Sequence, residues 1–147
     1  SRIMSLKDGM KKMSKSDPSD LSRINLTDEK DEIYNKIKKA KTDTMPMPTD
    51  IKDLAVRPEV ENLLGIYSSL RNQKLENSIN DFNGKQFSEF KEKLSEVLIE
   101  KIEPISKEVK KLLKDEKYLD EILLKGSEKA DKIASKKVKE IKKLVGF

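Results

Sequence analysis

Between Phe87 and Leu113 the apolar residues Phe87, Phe90, Leu94, Val97, Leu98, Ile102, Ile105, Val109, Leu112 and Leu113 recur mostly at intervals of three and four. Sustained for about eight helical turns, this spacing draws one stripe along a helix and cannot be laid on a strand, whose side chains alternate between faces. It predicts a core-facing helix over about 86–114. Pro104 removes the amide bond back to Glu100 and should kink the axis. With hydrophobic residues at 35% and aromatics at 5%, a core must be aliphatic and carried by amphipathic elements, which favours helices over wholly buried strands.

Weaker patterns of the same kind flank it. A helix is expected over about 28–41, capped by Thr27 or Asp28, with acidic residues in its first turn, Lys36, Lys38, Lys39 and Lys41 in its last, and Ile33, Ile37 and Ala40 on its packed face. The prolines of Met45-Pro46-Met47-Pro48 deny a helix, and 45–57 reads as an extended linker. Pro58 suits a first helical turn, and the helix it opens, about 58–72, buries Val60, Leu63, Leu64, Tyr67 and Leu70. Gly65, costly in mid-helix, predicts a close helix crossing there. A helix over about 75–82 stops at Asn83-Gly84. The last third reads as helices over about 117–125 and 127–145, hinged at Gly126-Ser127. Ala130, Ala134, Val138, Ile141 and Val145 form a seam on the second, and Lys132, Lys136, Lys139 and Lys143 form a stripe on its far side.

Cysteine and histidine are both absent, so disulfides, thiolate metal sites, and Ser-triad, Cys-protease and zinc-hydrolase chemistry are excluded within the chain. No run approaches the roughly 18 apolar residues of a membrane span, and the start has no signal-peptide core. The expected compartment is the cytosol or an organelle matrix. Ser1-Arg2-Ile3-Met4 opens on an apolar stretch without an initiator methionine or helix cap, as expected of a piece cut at a domain edge. The net charge of +5 permits a polyanionic partner but gives it only modest support.

The residues with the clearest chemistry are Lys11-Lys12-Met13-Ser14-Lys15-Ser16-Asp17, between Gly9 and Pro18. Glycine and proline interrupt regular structure, so this stretch reads as a mobile surface loop. Ile3-Met4-Ser5-Leu6 before it reads as a final strand of a sheet or part of a linker. Lysine ammonium groups, serine hydroxyls and loop amides suit polyphosphate, and a flexible loop can close as charge develops on a transferring group. A solvated lysine-rich turn is the plain alternative.

The order of these residues carries more. Lys12-Met13-Ser14-Lys15-Ser16 resembles the KMSKS motif of class I aminoacyl-tRNA synthetases, and Asp17-Pro18 resembles its continuation in the tryptophanyl branch. Further stretches are similar to that branch: Lys36 to Asp43 to its K-I-x-x-A-x-T-D element, Asn62 to Tyr67 to N-L-L-x-I-Y, Glu103-Pro104-Ile105 to its R/E-P-I, and Gly126 to Ala134 to G-A-E-K-A-x-x-I-A. The chain is thereby identified as resembling the C-terminal portion of a bacterial-type tryptophanyl-tRNA synthetase. The tyrosyl relative and a stand-alone helical tRNA- or protein-binding module with a vestigial nucleotide loop are the alternatives.

The resemblance implies an all-α helical bundle of the anticodon-binding type, with a short N-terminal remnant of an α/β Rossmann catalytic domain carrying the loop. Residues 1–44 would be the end of the catalytic domain, 45–57 a linker, and 58–147 the tRNA-binding domain. In the family pattern Lys12 and Lys15 hold ATP phosphates, Met13 offers backbone contacts, Ser14 and Ser16 shape the loop, and Ile3 offers its backbone to adenine. The implied ligands are ATP, Mg2+, L-tryptophan and tRNA(Trp), and the intact enzyme is implied to be a homodimer. The HIGH-type motif has no counterpart, since the chain lacks histidine, so the chain alone is expected not to aminoacylate. Lys132, Lys136, Lys139 and Lys143 are candidate tRNA-phosphate contacts, against the plain reading of a solubilising face in a lysine-rich chain.

Overall fold

The computed structural model describes residues 2–146, and Ser1 and Phe147, outer bounds of the first and last expected segments, lie outside them. The chain divides into two compact units, Ser1–Lys107 and Glu108–Phe147. The first contains an antiparallel hairpin, β1 (Met4–Ser5) and β2 (Asp8–Lys12), in which Met4 faces Lys12 and Ser5 faces Asp8 across an irregularity in register. The structure is mostly helical, as the helical-bundle expectation has it, and this small sheet lies in the N-terminal stretch expected to be a strand or part of a linker. Lys11 and Lys12 belong to a strand rather than to a loop, because the chain beyond Gly9 pairs back on Met4 instead of breaking.

Helix α1 (Lys30–Lys38) is shorter than expected at both ends. Asp28 is consumed by Asn25 and Lys36, so Glu29 takes the cap position, its amide donating to Glu32 Oε2 at 2.7 Å. Helix α2 (Pro58–Arg71) starts on proline and ends at Asn72, the one non-glycine with positive φ (52°) among the described residues. Helix α3 (Leu75–Phe82) closes on Gly84 at φ 67°. Helix α4 (Phe87–Leu113) continues through Pro104.

These elements enclose one core. Leu6 from the hairpin, Ile33 and Ile37 from α1, Val60, Leu63, Leu64 and Tyr67 from α2, Ile79 and Phe82 from α3, and Phe90, Leu94, Val97 and Leu98 from α4 are buried together. Tyr67, Phe82 and Phe90 meet edge to face with centroids 5.0 to 6.1 Å apart, the preferred aromatic geometry.

Three further expectations change. Residues 45–57 are not extended throughout: Ile51–Val56 is a 3-10 helix capped by Asp50, and Met47 and Leu54 are buried in the core. Nothing lies within 4 Å of the position a Gly65 Cβ would take, so no element crosses there. Gly126-Ser127 is not a hinge, for α5 (Glu116–Val145) runs through it as one helix, capped by Asp115 and ended by Gly146 at φ 84°. One interior glycine costs only ~1 kcal/mol, which the helix-forming residues on either side absorb. The seam Ala130, Ala134, Val138, Ile141 and Val145 is not packed: α5 buries no side chain.

Gly9 is the opposite of Gly65. A Cβ there would lie 2.6 Å from the Glu59 amide nitrogen and the Pro58 carbonyl carbon, both main-chain atoms with no rotamer to yield. Gly9→Ala is expected to destabilise the first unit by about 1–3 kcal/mol through overpacking, and Gly65→Ala to stabilise it by up to ~1 kcal/mol. Urea unfolding followed by far-UV circular dichroism reads both signs.

Candidate functional site

The hairpin projects residues 13–17 from its open end. The Met13 amide donates to the Ile3 carbonyl at 3.1 Å, so the Ile3 carbonyl is engaged within the hairpin while its side chain is half exposed. Met13 turns its side chain to the core edge. Beyond it Ser14, Lys15 and Ser16 are exposed in a turn, with the two serine hydroxyls 3.0 Å apart and the Ser16 amide donating to Ser14 Oγ at 3.3 Å. Lys11 pairs with Asp8 at 3.4 Å. Lys12 and Lys15 have no acidic partner among the described residues. The ammonium of Lys12 at the end of β2, that of Lys15 in the exposed turn and the two hydroxyls beside it are groups that can engage the oxygens of a phosphate chain.

The exit from the turn is tightly held. Arg23 donates from Nη1 to the Asp17 carbonyl at 2.9 Å and the Ser19 carbonyl at 3.4 Å and from Nε to Asn25 Oδ1 at 3.2 Å, and its Nη2 forms an ion pair with Asp20 Oδ1 at 3.0 Å. Asp20 accepts from Lys36 Nζ at 2.7 Å, and Lys36 also reaches Asp28 at 2.6 Å. Burial works against the Lys36 charge, but its hydrogen bonds to Asp20 and Asp28 outweigh that and hold its pKa above the ordinary lysine value. The Lys36 ammonium in turn keeps the Asp20 carboxyl below the usual carboxylate range.

The hairpin is seated on α2. The Asn62 side chain accepts from the Met4 amide and donates to the Met4 carbonyl, both at 2.9 Å, satisfying both backbone groups of one residue as a neighbouring strand would. Lys41 pairs with Glu59 at 2.7 Å and its amide donates to the Leu6 carbonyl at 2.8 Å. The start of α2 is fixed by Arg57, which binds both oxygens of Asp43 at 2.7 and 2.8 Å, donates to the Pro46 carbonyl and lies over the Phe87 ring. Between hairpin and helix runs a cleft lined by Ile3, Met10, Asn62, Gly65, Ile66 and Leu75 among others.

Asn62, Arg23, Lys36 and Gly9 are not among the candidate site residues read from the sequence. Lys36 left one signal: it lies between Ile33 and Ile37 on the packed stripe of α1, where a lysine must find a counter-charge. Asn62 and Arg23 carried none, since their partners are main-chain groups distant or irregular in sequence.

Lys132, Lys136, Lys139 and Lys143 are all exposed on α5, in the second unit, with no ion pair among the described residues. Among the described residues no group of three or more His, Cys, Asp and Glu side chains could hold a metal ion. No helix of the described residues is long and apolar enough to cross a membrane.

Comparison with known proteins gives a consistent picture. Residues 1–118 match the family model described as tRNA synthetases class I (W and Y). A tryptophan–tRNA ligase of Agrobacterium fabrum is 49% identical over 146 residues, covering 99% of this chain and 41% of the relative, and that of Rickettsia felis is 51% identical, covering 99% and 44%. The chain thus spans less than half the length of these relatives. The crystal structure of tryptophanyl-tRNA synthetase from Mycoplasma pneumoniae superposes with a TM-score of 0.59 at 29% identity, over 72% of this chain and 34% of that one.

The ion pairs fix the acid response of the fold. Arg57 holds the Asp43 carboxyl below its usual range, and Lys41 does the same for Glu59. A carboxylate whose pKa is depressed by folding contributes stability above its unfolded pKa and loses it as pH falls through the folded one. With no histidine, no side chain of ordinary pKa titrates between about pH 5 and 8. The melting temperature is expected to stay flat from pH 8 to 5 and fall below about pH 4, and Asp43→Asn to lower the plateau and flatten the acid limb in a thermal-melt series.

Proposed function

The chain belongs to the class I tRNA synthetases of the tryptophan and tyrosine type, and on that footing we propose that it is the C-terminal portion of a tryptophan–tRNA ligase. In this reading the intact enzyme, a homodimer of the cytosol or an organelle matrix, activates L-tryptophan with ATP and Mg2+. The tryptophan carboxylate displaces pyrophosphate from the α-phosphorus, and a ribose hydroxyl of tRNA(Trp) then displaces AMP from the adenylate. Lys12 and Lys15 place their ammonium groups on the phosphates and stabilise charge on the departing pyrophosphate. The Met13 backbone and the Ser14 and Ser16 hydroxyls shape the loop around the nucleotide, and the Ile3 main chain borders the adenine. Residues 1–44 are the end of a Rossmann catalytic domain and residues 58–147 a tRNA-binding part, on which Lys132, Lys136, Lys139 and Lys143 meet phosphates. The tryptophan side is favoured over the tyrosine side by the Asp17-Pro18 continuation and by the names of the relatives.

The observation that carries the proposal is the exposed 14–16 turn, with Lys15 in it and Lys12 at the strand end before it, neither with an acidic partner among the described residues, in a chain of this family. Joined to an upstream catalytic half, the chain should support tryptophan-dependent ATP–pyrophosphate exchange. Lys12→Ala with Lys15→Ala is expected to lower that exchange by about a hundredfold or more, and retained exchange in the double variant would overturn the phosphate role. Lys132→Glu, Lys136→Glu and Lys139→Glu together are expected to weaken tRNA binding and to reduce the salt slope by about one per lost phosphate contact in a titration over salt.

A further inference from the structure

The side chains Lys36, Asp28, Asn25, Asp20 and Arg23 form one connected set, which ends on the backbone immediately after Ser16. Lys36 is 4% exposed and Asp28 5%, and the two share a 2.6 Å hydrogen bond. Asn25 ties Asp28 to Asp20, its Nδ2 lying 3.0 Å from Asp28 Oδ1 and 3.1 Å from Asp20 Oδ1. Arg23 completes the set and delivers it to the carbonyls of Asp17 and Ser19. The formal charges cancel, two cations against two carboxylates, and all three guanidinium nitrogens of Arg23 have a partner within the set or on the backbone it holds. Nothing in the set is left over to bind a ligand, so it is no second anion site. Nor is it an ordinary surface ion-pair cluster, for its root is buried and its tip grips main chain rather than another side chain.

The two feet of the 13–17 segment are therefore held by different means. The entry is zipped by the hairpin, whereas the exit has no ladder: the Ser19 amide donates to Asp17 Oδ1 at 2.8 Å, the Ser22 hydroxyl to the Ser19 carbonyl at 2.7 Å, and Arg23 joins the Asp17 and Ser19 carbonyls to the buried set. A phosphate-closing loop needs that contrast: mobile donors at the tip, and feet that return the tip to one place.

Resting on the reading of this turn as the phosphate loop, we propose that Arg23, Asp20 and Lys36 are positioning residues of the reaction, which anchor the exit of the loop so that Lys12 and Lys15 meet the leaving group in register. Arg23→Gln removes the grip on the carbonyls while the buried Lys36–Asp28 pair stays whole. Asp20→Asn, at a half-exposed carboxylate, removes the ion pairs of Asp20 with Lys36 and Arg23 and leaves the second path, from Asp28 through Asn25 to Arg23, in place. Two readouts are taken. In this chain, nitrogen-15 relaxation should report lower order parameters at Ser16, Asp17 and Ser19 in both variants, with α2 and α3 unchanged. In the chain joined to its upstream catalytic half, kcat for ATP–pyrophosphate exchange should fall about ten- to a hundredfold in Arg23→Gln and less in Asp20→Asn, with the KM for tryptophan unchanged. Arg23→Lys should recover only part of kcat, since an ammonium cannot reproduce the fork. Unchanged loop order in Arg23→Gln, or a kcat that does not move in step with that order, overturns the proposal. Loss of melting temperature with neither readout moving assigns the set to stability alone and equally overturns it. If the unsubstituted joined chain shows no exchange at all, the proposed function fails while the relaxation measurement still judges the anchor.

Discussion

A two-stranded hairpin in water is marginal by itself, and among the described residues β1–β2 has no third strand. Its order depends on α2. The Asn62 carboxamide supplies the hydrogen bonds a neighbouring strand would give to Met4, and the bare α-carbon of Gly9 lets the hairpin backbone touch the backbone of Pro58 and Glu59. Leu6 between the strands is buried in the helical core. The loop carried by this hairpin thus takes its position from a helix almost fifty residues further along the chain.

That dependence runs on into the segment before α2. Arg57 sits at the joint between Asp43, the Pro46 carbonyl and Phe87, and is buried. A guanidinium there is tolerable because its donors are met by a bidentate carboxylate and a carbonyl, whereas removing one partner of such a buried pair costs about 3–5 kcal/mol. Lys91 does a related service for α1: its ammonium, pushed to a lower pKa by burial, donates to the Ala40 and Lys38 carbonyls at 2.6 and 3.2 Å and ties α4 to the end of that helix. In a chain so rich in charge, the few buried cations organise the fold, and the exposed lysines divide between those paired with carboxylates, such as Lys30 and Lys107, and those that keep their charge for solvent or for a polyanion.

The contrast between paired and unpaired lysines also separates structure from chemistry. Lys11, Lys36 and Lys41 each have a carboxylate within reach, and their charge is used in the fold. Lys12 and Lys15 are exposed with no such partner, which leaves their charge available to a phosphate chain.

Much was legible in the sequence alone, because helical periodicity and the order of short motifs are local properties. The three-and-four spacing from Phe87 to Leu113 fixed α4, Pro58 and Asn83-Gly84 fixed the ends of α2 and α3, and the run from Lys12 to Pro18 with its companions pointed to the synthetase family. Tertiary structure decided what local pattern cannot encode. The pairing of Met4 with Lys12 drew the first two residues of the expected loop into a strand and left 13–17 outside it, and Met47 and Leu54 drew the proline-rich segment into the core. Gly126 was absorbed into one helix because its cost is small beside that of breaking the backbone ladder. Gly9 and Gly65 are the same residue in sequence, and only the placement of α2 made one of them indispensable and the other replaceable.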